Sequence, residues 1–380
     1  MAETVIISDV TRLWTGLATT MPAHGVMHKT FIRMVAGLLA YSLWIAAPAW
    51  SASFPNLYTV TVAPAADAED RRSESIRLGM ARLLMRLTGR RDAGVSPDLA
   101  HMIESANEYM NSYGLLDRER DQVGFIASDI DAALTAANWP IWVAERPLTL
   151  VWITLENAEG ERAILSENRF DGEFSPELVS LLRELETEVQ EVADGRGLPI
   201  TFPQLVVEDL YALRSVEPWS GFDDRVEQES NRLQADARLI GHVSVDDFGF
   251  SVHWTFAQGE RSHLMLTSRI GDGLDWLADQ YAAQFSFVGG ARAIRVTVSD
   301  IANFSEYGEV MSYLETLSVL DSIDVEGFDG SVLNLRVLAR GDENVVQRVL
   351  NLGGVLRPVT DEEFLLPLDN ALMLELIRPE

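Results

Sequence analysis

His242 and His253 are the residues whose type and spacing come nearest to chemistry. Over 239–245 the odd positions are apolar or glycine, and over 250–256 the even positions are apolar, so both histidines fall on the polar face of their strands. If 246–249 is a four-residue turn, Val245 stands opposite Phe250 and His242 opposite His253, about 5 Å apart. Facing imidazoles can bind a metal or sense pH. Two imidazoles without a placed carboxylate make a poor zinc site, and the alternative reading is an ordinary polar sheet face. His263 is expected on the same polar side, too near the far end of its strand to join the pair.

Carboxylates are plentiful, and Glu184 with Glu188, Asp223-Asp224, Asp246-Asp247 and Asp361-Glu362-Glu363 could each be drawn as a glycosidase acid and base. Catalytic carboxylates need unlike, partly buried surroundings, and these sit in polar runs. Asp129-x-Asp131 does not continue as a calcium loop, because Leu134 occupies the glycine position. There is no G-x-S-x-G motif. Gly271-Asp272-Gly273 is followed by Trp276 where a dinucleotide fingerprint needs its third glycine. The chain has no cysteine, and Lys29 is its only lysine. Thiol chemistry, cysteine-ligated metals, lipobox anchoring, Schiff bases and a P-loop lysine are thereby excluded beyond residue 29. A formal charge of −28 over 380 residues argues against nucleic acid as a partner. Neither a cofactor nor catalytic residues can be assigned.

A partner site is suggested elsewhere. Trp219 and Phe222 lie in the polar loop around Pro218-Trp219-Ser220-Gly221-Phe222, where two aromatics could anchor a second protein or simply pack.

The elements that must position these residues alternate between helix and strand, an α/β (α+β) chain of three small mixed domains at 52–165, 175–288 and 291–380. The first is expected to hold a strand at 57–62, helices at 73–88 and 96–113, a shorter helix at 129–137 and buried strands at 140–143 and 148–155. In the second, Ser175-Pro176-Glu177 starts a helix. A strand at 200–207, a helix at 224–236, a three-stranded meander and a helix at 275–285 follow. The third reads β-α-β-β-α-β, a ferredoxin-like order, with a terminal hairpin or strand over 364–377.

Within the first block, Leu57-Tyr58, the helix end Leu87-Thr88-Gly89-Arg90-Arg91-Asp92, Tyr109, Tyr113, Pro140-Ile141-Trp142 and Arg146-Pro147-Leu148-Thr149-Leu150-Val151-Trp152 stand out. In these residues the chain resembles the bacterial domain-of-unknown-function family 2066 over about 54–200. The run from Arg146 and Pro147 to Trp152, with Trp142 before it, is the specific part. Ala127-Ser128-Asp129 departs from the pattern, where an aromatic-Asp pair is expected. The resemblance implies an exported proteobacterial protein of unestablished activity and carries no catalytic residues. Trp139, Trp142 and Trp152 crowd these residues and are expected to pack in the core around the buried strand at 148–155. Arg146 is expected to be held by a carboxylate or by backbone carbonyls at a strand entrance.

The address is legible. His28, Lys29 and Arg33 precede an apolar stretch at 34–47, and small residues then offer cleavage after Ala49 or Ser51. That apolar core spans about 21 Å, short of the ~30 Å of bilayer hydrocarbon, so a cleaved signal is expected, with Met27 as the initiator. The expected product is an unlipidated periplasmic protein with no stable membrane span, binding an envelope protein or peptidoglycan. A cell-wall glycan or peptide hydrolase, and a metal or pH sensor at His242 and His253, are the alternatives.

Overall fold

Caps at both ends explain where the two longest helices among the described residues start and stop. Asp70 accepts from the Ser73 amide at the start of Arg71–Thr88, and Gly89 ends that helix at φ 66°. Ser175 accepts from the Leu178 amide ahead of Pro176–Arg196, and Gly197 ends it at φ 67°. The computed structural model describes residues 54, 56–168, 173–205, 223–246, 249–359 and 371–378. The export segment, Trp219 and Phe222 lie outside the described residues.

In chain order the elements are β1 (Thr59–Val62), α1 (Arg71–Thr88), β2 (Met110–Leu115), β3 (Asp121–Phe125), α2 (Ala127–Ala136), β4 (Ile141–Trp142), β5 (Thr149–Glu156) and β6 (Arg162–Leu165). There follow α3 (Pro176–Arg196), β7 (Ile200–Thr201), α4 (Asp223–Arg232), β8 (Ala237–Asp246), β9 (Gly249–Gln258), β10 (Arg261–Thr267), α5 (Gly271–Phe285) and β11 (Ser286–Phe287). The last part holds β12 (Ala291–Ser299), α6 (Phe304–Thr316), β13 (Leu320–Asp329), β14 (Val332–Arg340), α7 (Glu343–Leu350), β15 (Leu356–Pro358) and β16 (Ala371–Leu376). The chain is of the α/β class. Among the described residues no helix is long and apolar enough to cross a membrane.

Among the described residues the strands form a three-stranded sheet β1-β3-β2, a six-stranded sheet β10-β9-β8-β5-β6 with β7 also on β5, the pair β11-β4, and a five-stranded sheet β13-β14-β12-β16-β15. The larger mixed sheet crosses the boundary expected between 52–165 and 175–288, because β5 lies parallel to β8 with Thr149 opposite Ala237. The β4–β11 pair, with Trp142 opposite Ser286, ties the same two blocks again. Residues 49–380 form one compact unit. β5 is buried on both faces, as its continuous apolar sequence requires. Val151, Ile153 and Leu155 enter the main core, while Leu150 and Trp152 enter a second cluster with Ile164, Leu205 and Val226.

Three expected elements differ. Of the strand expected at 200–207, only Ile200–Thr201 is a strand among the described residues, and Pro203 follows it. The helix expected over 96–113 breaks at Ser105, whose hydroxyl bonds the His101 carbonyl at 2.5 Å, and ends at Tyr109. Met110–Leu115 becomes β2, paired with β3. In the last block the order β-α-β-β-α-β is present, but the slot beside β12 belongs to β16, which runs parallel to it, and β15 is displaced to the edge. β15 contains Pro358, which has no N–H to donate to an interior ladder. β16 offers Leu372, Leu374 and Leu376 at period two, all buried.

Candidate functional site

Arg146 is fully buried and works as a structural clasp. Its guanidinium donates to the carbonyls of Val143 (3.1 Å), Arg86 (2.9 Å), Arg196 (3.3 Å) and Gly197 (2.6 Å). Arg86 donates to the Asp194 carbonyl (3.0 Å), to its carboxylate (3.0 Å), and to the carbonyls of Thr59 (2.7 Å) and Leu57 (3.2 Å). Arg196 reaches the Gly89 carbonyl (2.9 Å) as well as Asp275 and Asp279. The C-termini of α1 and α3 therefore cap one another through arginine, where orphan carbonyls and negative dipole ends need donors and positive charge. A Cβ at Gly197 would run into the Arg146 guanidinium. The Arg146 guanidinium carbon sits over the Trp142 ring, 3.8 Å from its centroid. Burial pushes Arg146 well below its ordinary value, with Arg86 adding to the push, and brings Arg86 down to about 10.

The residues beside Arg146 serve the same end. Leu148, just after Pro147, donates its amide to Asp236 at 2.7 Å. Glu145, which sequence reasoning missed, is 2% exposed and accepts from the Ser318 amide and hydroxyl, tying the loop to the end of α6. Trp142 and Trp152 are both fully buried but in different clusters, so the motif tryptophans do not gather at one place. Of the carboxylate pair on α3, Glu188 accepts from the Gly271 amide at 3.2 Å, at the start of α5.

The two histidines are brought together in the expected register, His242 opposite His253. His242 Nδ1 lies 2.7 Å from the Thr154 hydroxyl on β5. Among the described residues no group of three His, Asp or Glu side chains could hold a metal ion. His263 is not on their face: it pairs with Phe256 and stacks on Trp276 of α5, ring centroids 4.7 Å apart. The exposed side chains beside the pair are instead Leu266, opposite His253, and Leu264, opposite Thr255.

A cleft of about 270 Å³, lined among others by Ser128, Asp131, Phe287, Gly290 and Arg340, holds another polar group that the sequence did not flag. Tyr58 donates to Asp131 at 2.6 Å, and Arg340 bridges Asp131 (3.3 Å) and Asp321 (2.9 Å). Burial raises both Asp131 and Tyr58 above their ordinary values. The groups satisfy one another, joining α2 to β13 and β14. Burial likewise raises Asp236. The folded protein holds the protons of Asp131 and Asp236 more tightly than the unfolded chain, so their contribution is fully present below the ordinary carboxylate range and is lost as pH rises through the raised values. Asp121 behaves oppositely: hydrogen bonds from Arg71 lower it, so its contribution is present above the ordinary value and lost as pH falls through the lowered one. Urea midpoints are expected to rise as pH falls from neutrality toward the ordinary carboxylate range and to fall once pH drops below it. Asp131→Asn should flatten the rise, and a wild-type midpoint that drops between pH 7 and 5 would contradict the assignment.

The exposed apolar surface of the last block is concentrated where α6 meets β13. Asn303 caps α6 by accepting from the Glu306 amide (3.0 Å), and Glu306 reaches back to the Ala302 amide (2.7 Å). This fixes Phe304 at the helix start, 86% exposed. Phe304 stacks on Tyr307 with centroids 5.8 Å apart, and Tyr307 meets Phe328 edge-on at 6.2 Å. Phe328 and Val325, both on β13, are 50% and 46% exposed. Nothing in the sequence reading singled out these residues; their separation in the chain hides the cluster.

Residues 51–143 match the family described as Domain of unknown function (DUF8605). No curated protein matches the sequence. Among solved structures, the chain is similar to the LpoB C-terminal domain from Salmonella enterica, at 14% identity and a TM-score of 0.16, over 32% of this chain and 83% of that one.

Proposed function

We propose that the chain is an exported periplasmic protein that acts by binding an envelope component, a protein or peptidoglycan, through the α6–β13 face of its last block. The observation that carries this reading is the cluster Phe304, Tyr307 and Phe328. Phe304 and Phe328 are exposed on either side of the half-buried Tyr307, an aromatic surface patch of the kind that a partner covers. The signal-like residues 28–51 and the resemblance to family 2066 support export. The buried arginine of the family-like motif, Arg146, is consumed by carbonyls at two helix ends, which supports a structural role for that motif.

The test is photo-crosslinking in cells expressing the full chain, with the crosslinking amino acid at Phe304 or Phe328 and a control at Val95, which is 83% exposed on a different element. A discrete adduct recovered in the periplasmic fraction from Phe304 and Phe328, and absent from Val95, is the expected result. The same pattern at all three positions, or no adduct at any, overturns the reading.

A further inference from the structure

We infer that the free edge of β10 accepts an extended segment of another protein in which apolar and acidic side chains alternate. β10 ends the six-stranded sheet, and among the described residues no strand pairs with its outer edge. Its seven residues are paired with β9 without a register shift and contain neither proline nor a carboxylate. The other long edge, β13, carries Asp321, Asp324, Glu326 and Asp329 and two register shifts, while β15 is short and holds Pro358. Those are devices by which sheets defend an edge; β10 has no proline, no register shift and no carboxylate, and its one fixed charge is Arg261 at its first position.

The side chains of β10 say what fits. Period two divides them into Ser262, Leu264 and Leu266 on the outer face and Arg261, His263, Met265 and Thr267 on the face toward α5. Leu264 and Leu266 are 74% and 66% exposed. Arg261 and, just past the strand, Arg269 are exposed and pair with no carboxylate among the described residues. From 261 to 271 the sequence has no Asp or Glu, in a chain with 58 acidic residues and 30 basic ones. A strand added to this edge places residues opposite each other on the same face, so apolar side chains would meet Leu264 and Leu266 while carboxylates meet Arg261, His263 and Arg269. At physiological ionic strength the Debye length is about 8 Å, so the local preference is set by Arg261 and Arg269, partly offset by the adjoining Glu260 and Asp272, rather than by the acidic surface farther away.

This surface is on a different sheet from the aromatic cluster, and its test is independent of the crosslinking above. Fluorescence anisotropy of the full chain would use two labelled peptides, one alternating valine with aspartate and one alternating valine with lysine. The aspartate peptide is expected to bind at least tenfold more tightly. Leu264→Ser with Leu266→Ser should abolish that binding, and Arg261→Glu with Arg269→Glu should reverse the preference toward the lysine peptide. All four positions are exposed, and circular dichroism would verify that each variant is folded. Equal binding of the two peptides, or charge-reversed variants that keep the original preference, overturns the proposal. So does concentration-dependent self-association that the leucine variant removes, since the occupant would then be a second copy of the chain.

Discussion

Arg146→Met is expected to cost about 3–5 kcal/mol of folding stability, the largest single-residue loss at the junction of α1 and α3. The four carbonyls that now accept from Arg146 belong to Val143, Arg86, Arg196 and Gly197, and methionine supplies no donor to any of them. A buried carbonyl left without a partner costs about 1–3 kcal/mol, so the sum exceeds the relief gained by removing a buried charge from a low-dielectric site. Arg146→Lys separates charge from geometry. Lysine keeps the positive charge near both helix ends, but a compact ammonium cannot reach carbonyls that the planar fork spans. It should therefore retain less than half of the lost stability. Urea unfolding of both variants checks this: a lysine variant with the wild-type midpoint would mean that charge alone holds the two helix ends together.

How much of this was readable in advance depends on the range over which each contact acts. The caps of α1 and α3 are local, and Asp70, Gly89, Ser175, Pro176 and Gly197 announce them within a few residues. The pairing of His242 with His253 also follows from period two and one short turn. His263 was misplaced for the same kind of reason. The link through Gly259 and Glu260 sets Arg261 opposite Gln258, which turns His263 inward and Leu264 outward. A shift of one residue exchanges the two faces of a strand, and the apolar leucines made the opposite assignment look natural.

Longer-range contacts left no such mark. The parallel pairing of β5 with β8 joins segments separated by α3 and α4, and no local pattern specifies a parallel partner across such a distance. That is why a domain boundary was expected where the sheet in fact continues. Tertiary pairing with β3 likewise overrides the helical pattern of residues 110–113. Arg146 was readable as a buried charge needing carbonyls, but which carbonyls depends on two helix ends meeting, and Glu145 depends on Ser318 far along the chain. The aromatic cluster and the undefended β10 edge have the same origin: each is assembled from residues whose exposure only the fold decides.

The second large effect is expected at Trp254. Its side chain is fully buried between Gly241 of β8 and Gly273 of α5. A Cβ at Gly241 would stand 2.6 Å from the Trp254 ring, and one at Gly273 would stand 2.5 Å from it. Trp254→Ala should cost about 3–5 kcal/mol, because neither neighbour can close the space the indole leaves. Gly273→Ala tests the sandwich from the other side. Alanine is the better helix former by about 1 kcal/mol, so on propensity alone the substitution inside α5 would stabilise. Overpacking in a filled core costs about 1–3 kcal/mol, and contact with a rigid ring that has no free direction favours the upper part of that range, so destabilisation is expected to win. In a Trp254→Leu background the same Gly273→Ala change should become neutral or stabilising, and unfolding of the four proteins gives the coupling directly. A stabilising Gly273→Ala in the wild-type chain would show that the helix can move off the ring. The expected coupling would instead identify Gly273, the second glycine of a Gly271-Asp272-Gly273 run that looks on paper like the start of a phosphate loop, as the space that lets α5 lie against Trp254.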